Sequence, residues 1–102
     1  MPTVVEHRLY VDTEKTRKEV DVGEEVEFKG YARLSEPLST KMWAVLYVYV
    51  NGSAEYRDRW VLSPGTKEIT YSFSLTFHEP GTYNVYADLF LELYGAPPYP
   101  PI

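Results

Sequence analysis

His7 and His78 are the only imidazoles in this chain of 102 residues, and it has no cysteine. Metal chemistry would therefore rest on them and on carboxylates, and a nucleophile partnered by histidine could be a serine such as Ser35 or Ser39. A zinc site needs three or four ligands converging on one point. No His-x-x-x-His pair or carboxylate cluster offers that spacing. Ser35 or Ser39 with His78 and Asp88 supplies the residue types of a Ser-His-Asp triad, but no strained Gly-x-Ser-x-Gly turn marks a nucleophile. The plainer reading is a turn histidine at His78, beside Glu79 and Pro80, and a partly buried one at His7. Glu25 and Glu27 point to one side of a strand with Lys29 following, which describes a solvated face. Asp88 lies between Ala87 and Leu89, with Tyr86 and Phe90 on its own face. It is the best candidate for a carboxyl with a raised pKa, yet a charge that keeps a sheet edge soluble explains it better. The stretches "DVGEE" and "NGSAE" lack the alternating oxygen ligands of a calcium loop, and no Gly-rich phosphate loop occurs. The expectation is a protein with no catalytic residues, no metal and no cofactor.

The elements that would position any site are strands. Val5, His7, Leu9 and Val11 alternate with Glu6, Arg8, Tyr10 and Asp12. Val26, Phe28, Gly30, Ala32 and Leu34 alternate with Glu27, Lys29, Tyr31 and Arg33. Later, Ile69, Tyr71, Phe73, Leu75 and Phe77 face one way, with Thr70, Ser72, Ser74 and Thr76 on the other. A period of two puts one face in a core and one in water. Residues 42–50 are apolar on both faces, Tyr56, Trp60 and Leu62 share a side, and a last strand runs from about Tyr83 to Leu93. Asn51-Gly52 between alternating segments signals a two-residue hairpin with positive φ at both positions. Pro64-Gly65 and Pro80-Gly81 suit turns in which Pro presets φ and Gly takes the positive corner. No window has a helical period. Six such strands close most readily as a two-sheet β-sandwich, because a flat six-stranded sheet leaves one apolar face bare.

Composition agrees. The chain is long enough for one domain with one core. Aromatic residues make up 16%, with ten Tyr, which favours strands. A net charge of −5 argues against nucleic acid as a partner, since a phosphate backbone needs a basic face. The longest apolar run, Met42 to Val50, is too short to span a membrane as a helix. "MPTVVEHRLYVD" has no basic segment leading into an apolar one, so no signal peptide is expected and the product stays where it is made. Gln is absent and Asn scarce while Glu is abundant, a skew seen in hyperthermophiles.

The chain also matches itself. Shifted by 43 residues, 25–52 aligns without gaps on 68–95. Glu25, Glu36, Pro37, Ala44, Leu46 and Gly52 meet Glu68, Glu79, Pro80, Ala87, Leu89 and Gly95. Apolar positions match as well: Phe28 with Tyr71, Trp43 with Tyr86, Tyr47 with Phe90. Upstream, "RLYV" at 8–11 faces "RWVL" at 59–62 if the first copy carries the charged insertion 12–22. The expected organisation is one domain over 1–95, with repeat one about 3–52 and repeat two about 53–95, followed by a proline-rich tail at 96–102.

"PGTYNVYA" at 80–87 resembles the penultimate strand of immunoglobulin-like domains, in which a Tyr after Pro-Gly-Thr forms a tyrosine corner. The resemblance implies an immunoglobulin-like topology and that role for Tyr83, though no final strand follows. The length, the absence of Cys and Gln, and two diverged copies of one β-motif resemble the small β-sandwich proteins of Acidianus filamentous viruses, which infect archaea. That resemblance implies a viral protein of the host cytoplasm or the virion.

Two features exceed what a core needs. Strand 42–50 buries Ala44, Leu46, Val48 and Val50 and turns Trp43, Val45, Tyr47 and Tyr49 outward. The corresponding outward positions of the second copy are Tyr86, Asp88, Phe90 and Glu92. Large aromatic surfaces mark interfaces, unless the charged connection covers them. The tail "YGAPPYPPI" favours polyproline II, a conformer suited to aromatic grooves. The functional expectation is therefore a non-enzymatic protein- or peptide-binding protein. Its contacts would be Trp43, Tyr47, Tyr49, Tyr86 and Phe90, in a groove or beside an open strand edge between the repeats. A second copy of the chain is one such partner. The alternative is a carbohydrate-binding or cell-surface module, since aromatic platforms also stack on sugars.

Overall fold

A computed structural model of the chain describes residues 2–11, 23 and 25–95. They form six strands and no helix: β1 (Val4–Val11), β2 (Glu25–Leu34), β3 (Met42–Val50), β4 (Ser53–Leu62), β5 (Glu68–Thr76) and β6 (Val85–Leu93). The strands pair antiparallel in two three-stranded sheets, β1-β2-β5 and β4-β3-β6. The alternation in the sequence sets which side chains meet. Val26, Phe28, Ala32, Leu34, Ile69 and Phe73 from one sheet join Met42, Ala44, Leu46, Val48, Leu62 and Leu89 from the other in a single buried cluster. Ring stacking crosses between the sheets, with Tyr56 on Phe73 at 5.4 Å and Trp60 tilted on Tyr71 at 6.0 Å. Leu38, in the β2–β3 connection, is also buried in the core. Its amide donates to the Thr66 carbonyl and its own carbonyl accepts from Gly65, so the Pro64-Gly65 turn closes that end of the core.

The turns take the conformations their residues favour. Asn51 and Gly52 both have positive φ, at 51° and 85°, the geometry of a tight hairpin between β3 and β4. The Asn51 side chain also accepts the Asn84 amide at 2.9 Å, tying the hairpin to the entry of β6. After Pro80-Gly81 the Tyr83 hydroxyl donates to the Glu79 carbonyl, and the Tyr83 ring packs on Phe77 at 4.4 Å.

Registers centre both sheets on residues that share the sequence spacing of 43. Lys29 lies opposite Ser72 and Leu46 opposite Leu89. The segments 25–52 and 68–95 therefore meet strand against strand through β2–β5 and β3–β6. This differs from the expected groove at their junction, because a hydrogen-bonded ladder occupies that place in each sheet. The parallel between the two halves stops at β1 and β4. β1 pairs with β2, whereas β4 pairs with β3 in the other sheet, so 8–11 and 59–62 have different surroundings.

One inward position also differs. The register slips between Val4 and Glu6, so Val4 packs on the core while Val5 is 50% exposed. A bulge inserts one residue and flips the alternation beyond it, which is why Val5 does not share the face of His7 and Leu9.

Gly30 has a steric reason. The Tyr71 ring crosses directly over it, and a Cβ there would overlap that ring. Through this gap the Tyr71 hydroxyl and Nε2 of His7 share a hydrogen bond of 2.7 Å. Burial raises the Tyr71 pKa to about 12. Burial also holds His7 below its usual value of 6.5, with the Asp88 carboxylate opposing that shift. An unfolded His titrates near 6.5, so just below that pH the unfolded chain carries a proton that the folded chain lacks. Stability is thus fully present above about pH 6.5 and falls as pH drops through the folded pKa. His7→Gln keeps an acceptor for Tyr71 and should flatten the urea-midpoint profile between about pH 7 and 5. An unchanged slope in the variant would assign the effect to another group.

Candidate functional site

The outer faces of the two sheets contrast. On β1-β2-β5 the face carries Glu6, Arg8, Tyr10, Glu27, Lys29, Arg33, Thr70, Ser72 and Ser74. Glu6 forms ion pairs with Arg8 and Arg33, and hydrogen bonds first from Arg8 and then from Arg33 hold its carboxyl below the usual range. This is an ordinary solvated sheet surface, where exposed pairs contribute little.

The face of β4-β3-β6 is aromatic. Trp43, Val45, Tyr47 and Tyr49 run down its centre. They lie opposite Val61, Arg59, Arg57 and Ala54 on β4, and opposite Glu92, Phe90, Asp88 and Tyr86 on β6. Each row follows from the period of two and the ladder register. Tyr47 stacks on Phe90 at 6.0 Å and on Tyr49 at 6.5 Å, and Tyr49 stacks on Tyr86 at 4.9 Å. The Arg59 guanidinium sits 4.1 Å from the Trp43 ring centroid, a close cation–π arrangement. Tyr94, just past β6, packs on Trp43 at 5.3 Å with the Lys41 ammonium 5.5 Å from its centroid. Trp43, Tyr47, Tyr49 and Phe90 are half-buried, Tyr86 is 47% exposed, and Val45 at the centre has no exposure at all.

Three buried donors on this face lack a hydrogen-bond partner: Nε1 of Trp43, Nη1 of Arg57 and Nη1 of Arg59. A buried donor left unpaired costs about 1–3 kcal/mol, and native chains leave few. Here they are neighbours on one surface of stacked rings, which also carries the Asp88 and Glu92 carboxylates, and none of the three donors is bonded to either. Such a surface is chemically complementary to acceptors carried on something flat or apolar.

The sequence points to Trp43, Tyr47, Tyr49, Tyr86 and Phe90, and the fold places all five on this face. It does not point to Arg57, Arg59 or Tyr94. The signal for the arginines is the "YRDRW" alternation, which puts both on the side opposite Tyr56 and Trp60. Residues 12–22 and the proline-rich segment 96–102 lie outside the described residues.

The other candidates separate. Ser35 follows β2 where Leu34 bonds Lys67, and its hydroxyl accepts the Thr3 amide at 3.0 Å. His78 follows β5 at the opposite end, where Thr76 pairs with Glu25. The length of a nine-residue strand, roughly 30 Å, divides them, so Ser35 and His78 cannot share a triad. Among the described residues no three His, Asp or Glu side chains are placed to hold a metal ion, and no helix is long and apolar enough to cross a membrane. No protein-family model, no curated protein and no solved structure matches the chain.

Proposed function

We propose that the chain is a non-enzymatic protein- or peptide-binding protein that uses the outer face of β4-β3-β6, on an immunoglobulin-like β-sandwich built from two diverged repeats. The sandwich reading is supported by the single core shared by both sheets. The immunoglobulin-like reading is supported by the Tyr83 hydroxyl bonding back to Glu79, as a tyrosine corner does. The repeat reading is supported by the registers that oppose Lys29 to Ser72 and Leu46 to Leu89. On the resemblance to Acidianus virus proteins, the setting is the host cytoplasm or the virion.

The observation that carries the functional reading is the trio of unpartnered buried donors set among stacked aromatic rings. A polypeptide supplies both things the face requires, carbonyl acceptors and apolar side chains. Sugars are the second choice, because Tyr49 and Tyr86 stack on each other at 4.9 Å and so use ring surface that a pyranose would cover. Screening the full-length protein against immobilised peptides and glycans separates the two. Peptide binding should weaken more than about tenfold in Tyr49→Ser and in Arg57→Ala, the loss expected of contact residues. Glycan binding with no peptide binding, or peptide binding indifferent to both substitutions, would refute this reading.

A further inference from the structure

Four places in the molecule invite a role beyond this reading. The Tyr71–His7 pair is a packing device, its ring filling the space over Gly30. The edge of β5 bears Ser and Thr without charge between Ile69 and Thr76, and among the described residues it pairs with β2 alone. Nothing beside it indicates what would add to it. The mixed charges facing solvent on β1-β2-β5 include the Glu6 pairs with Arg8 and Arg33, an ordinary solvated surface. The aromatic face carries an argument further, because the end of β6 shows what can reach it.

We propose that the aromatic face of β4-β3-β6 is the docking site for the chain's own proline-rich segment, residues 96–102, acting as an internal competitor for the partner. This inference rests on the reading of that face as a binding surface. β6 ends at Leu93 opposite Met42, and the next ring, Tyr94, already lies on Trp43 at 5.3 Å. Gly95 then takes φ +96°, a turn conformation. The segment that follows therefore begins at the Trp43 end of the row Trp43–Tyr47–Tyr49.

Its sequence, "APPYPPI", has four prolines in seven residues. Proline has a carbonyl and no amide donor, so the segment's backbone carries seven acceptors and fewer amide donors, those of Ala96, Tyr99 and Ile102. The face offers unbonded indole and guanidinium donors at Trp43, Arg57 and Arg59, beside rings of the kind that pack on proline in peptide-binding grooves. The lengths agree. Seven residues of polyproline II cover about 22 Å at ~3.1 Å each, and the six steps from Trp43 to Tyr49 cover about 20 Å. Being tethered at Gly95, the segment is held at a local concentration that a free peptide does not match. A partner must then displace it, so the segment sets a threshold for binding.

The test uses full-length protein labelled for NMR. It compares the natural chain with one in which Pro97, Pro98, Pro100 and Pro101 are all serine. In dilute natural protein, the Trp43 indole proton should show contacts to proline ring protons. Its exchange with solvent should be slowed at least about tenfold relative to the serine variant. Neither observation should depend on protein concentration. A synthetic 96–102 peptide should bind the serine variant and restore the Trp43 shift, while leaving the natural chain unchanged. Absence of proline contacts with equal exchange in the two proteins overturns the proposal. Contacts that grow with concentration also overturn it, because the segment then docks on a second copy. Loss of the contacts while foreign peptides still bind would leave the partner reading standing. Contacts that persist while no foreign peptide binds even the serine variant would keep the internal docking and remove the partner.

Discussion

Gly30→Ala is expected to destabilise the protein by about 2–4 kcal/mol, through overpacking and a lost hydrogen bond. The position is buried, and the added methyl would stand where the Tyr71 ring now lies. A surface side chain would swing aside, but this ring cannot do so freely. It packs on Phe73 and Trp60 and is held by His7 at its hydroxyl. Relief requires giving up these contacts together. Tyr71→Phe alone removes only the hydroxyl and should cost about 1 kcal/mol. If the conflict is with the ring, Gly30→Ala should cost much less in a Tyr71→Leu background than in the natural chain, a coupling that a double-mutant cycle reads directly. A urea midpoint unmoved by Gly30→Ala would mean that the ring has another place to go.

Leu46→Ala and Leu89→Ala should each remove about 2–5 kcal/mol, the range for a buried leucine whose cavity only partly collapses. The two side chains face each other at the centre of the β3–β6 ladder and are 1% and 5% exposed. A domain of this size is commonly stable by only about 5–15 kcal/mol, so either change takes a large share. Similar losses are expected because each leucine is the other's neighbour within one core. The double variant should cost less than the sum, since the second truncation enlarges a space already opened. A loss below about 1 kcal/mol at either site, well under the usual leucine cost, would contradict its place in the core. By contrast, Tyr49→Ser removes a half-buried ring on the outer side of the same strand, and on the proposed function its effect should fall on binding.

Much of this fold was legible in the residues. Ile69, Tyr71 and Phe73 read as inward from strict alternation, and they are in or against the core. Asn51-Gly52 read as a two-residue turn from the φ values those residues tolerate, and it is one. Val5 was misread because alternation assumes an unbroken pleat, and a bulge without Gly or Pro leaves no mark in the sequence. Gly30 read as one more member of the inward series, although a glycine inside a strand also signals a close approach; only the structure supplies Tyr71 as the cause. The pairing of β4 with β3 was signalled by the Asn51-Gly52 hairpin, but the placing of β6 on the other edge of β3 was hidden, since that pairing depends on tertiary packing and not on local pattern. For the candidate site, the aromatic row could be read from strand 42–50 alone. The unpartnered nitrogens of Trp43, Arg57 and Arg59 could not, because the burial of one atom depends on neighbours from three strands.

The Asn51-Gly52 hairpin has a kinetic consequence. It joins β3 to β4 across two residues, while β2–β5 and β3–β6 bring together residues 43 apart at their centres. A hairpin closes in about 1–10 μs, but each distant pairing must first meet the entropy of closing a long loop. With most contacts remote in sequence, refolding should fall in the millisecond-to-second range typical of such β topologies. The β3–β4 hairpin is the ladder with the shortest closure, shorter than that of β1–β2, whose innermost pair is Val11 and Phe28. It is the natural template on which β6 adds, carrying β5 and then β2 towards each other. The strand that presents Trp43, Tyr47 and Tyr49 would thus be among the first ordered, with its aromatic face assembled only when β6 arrives.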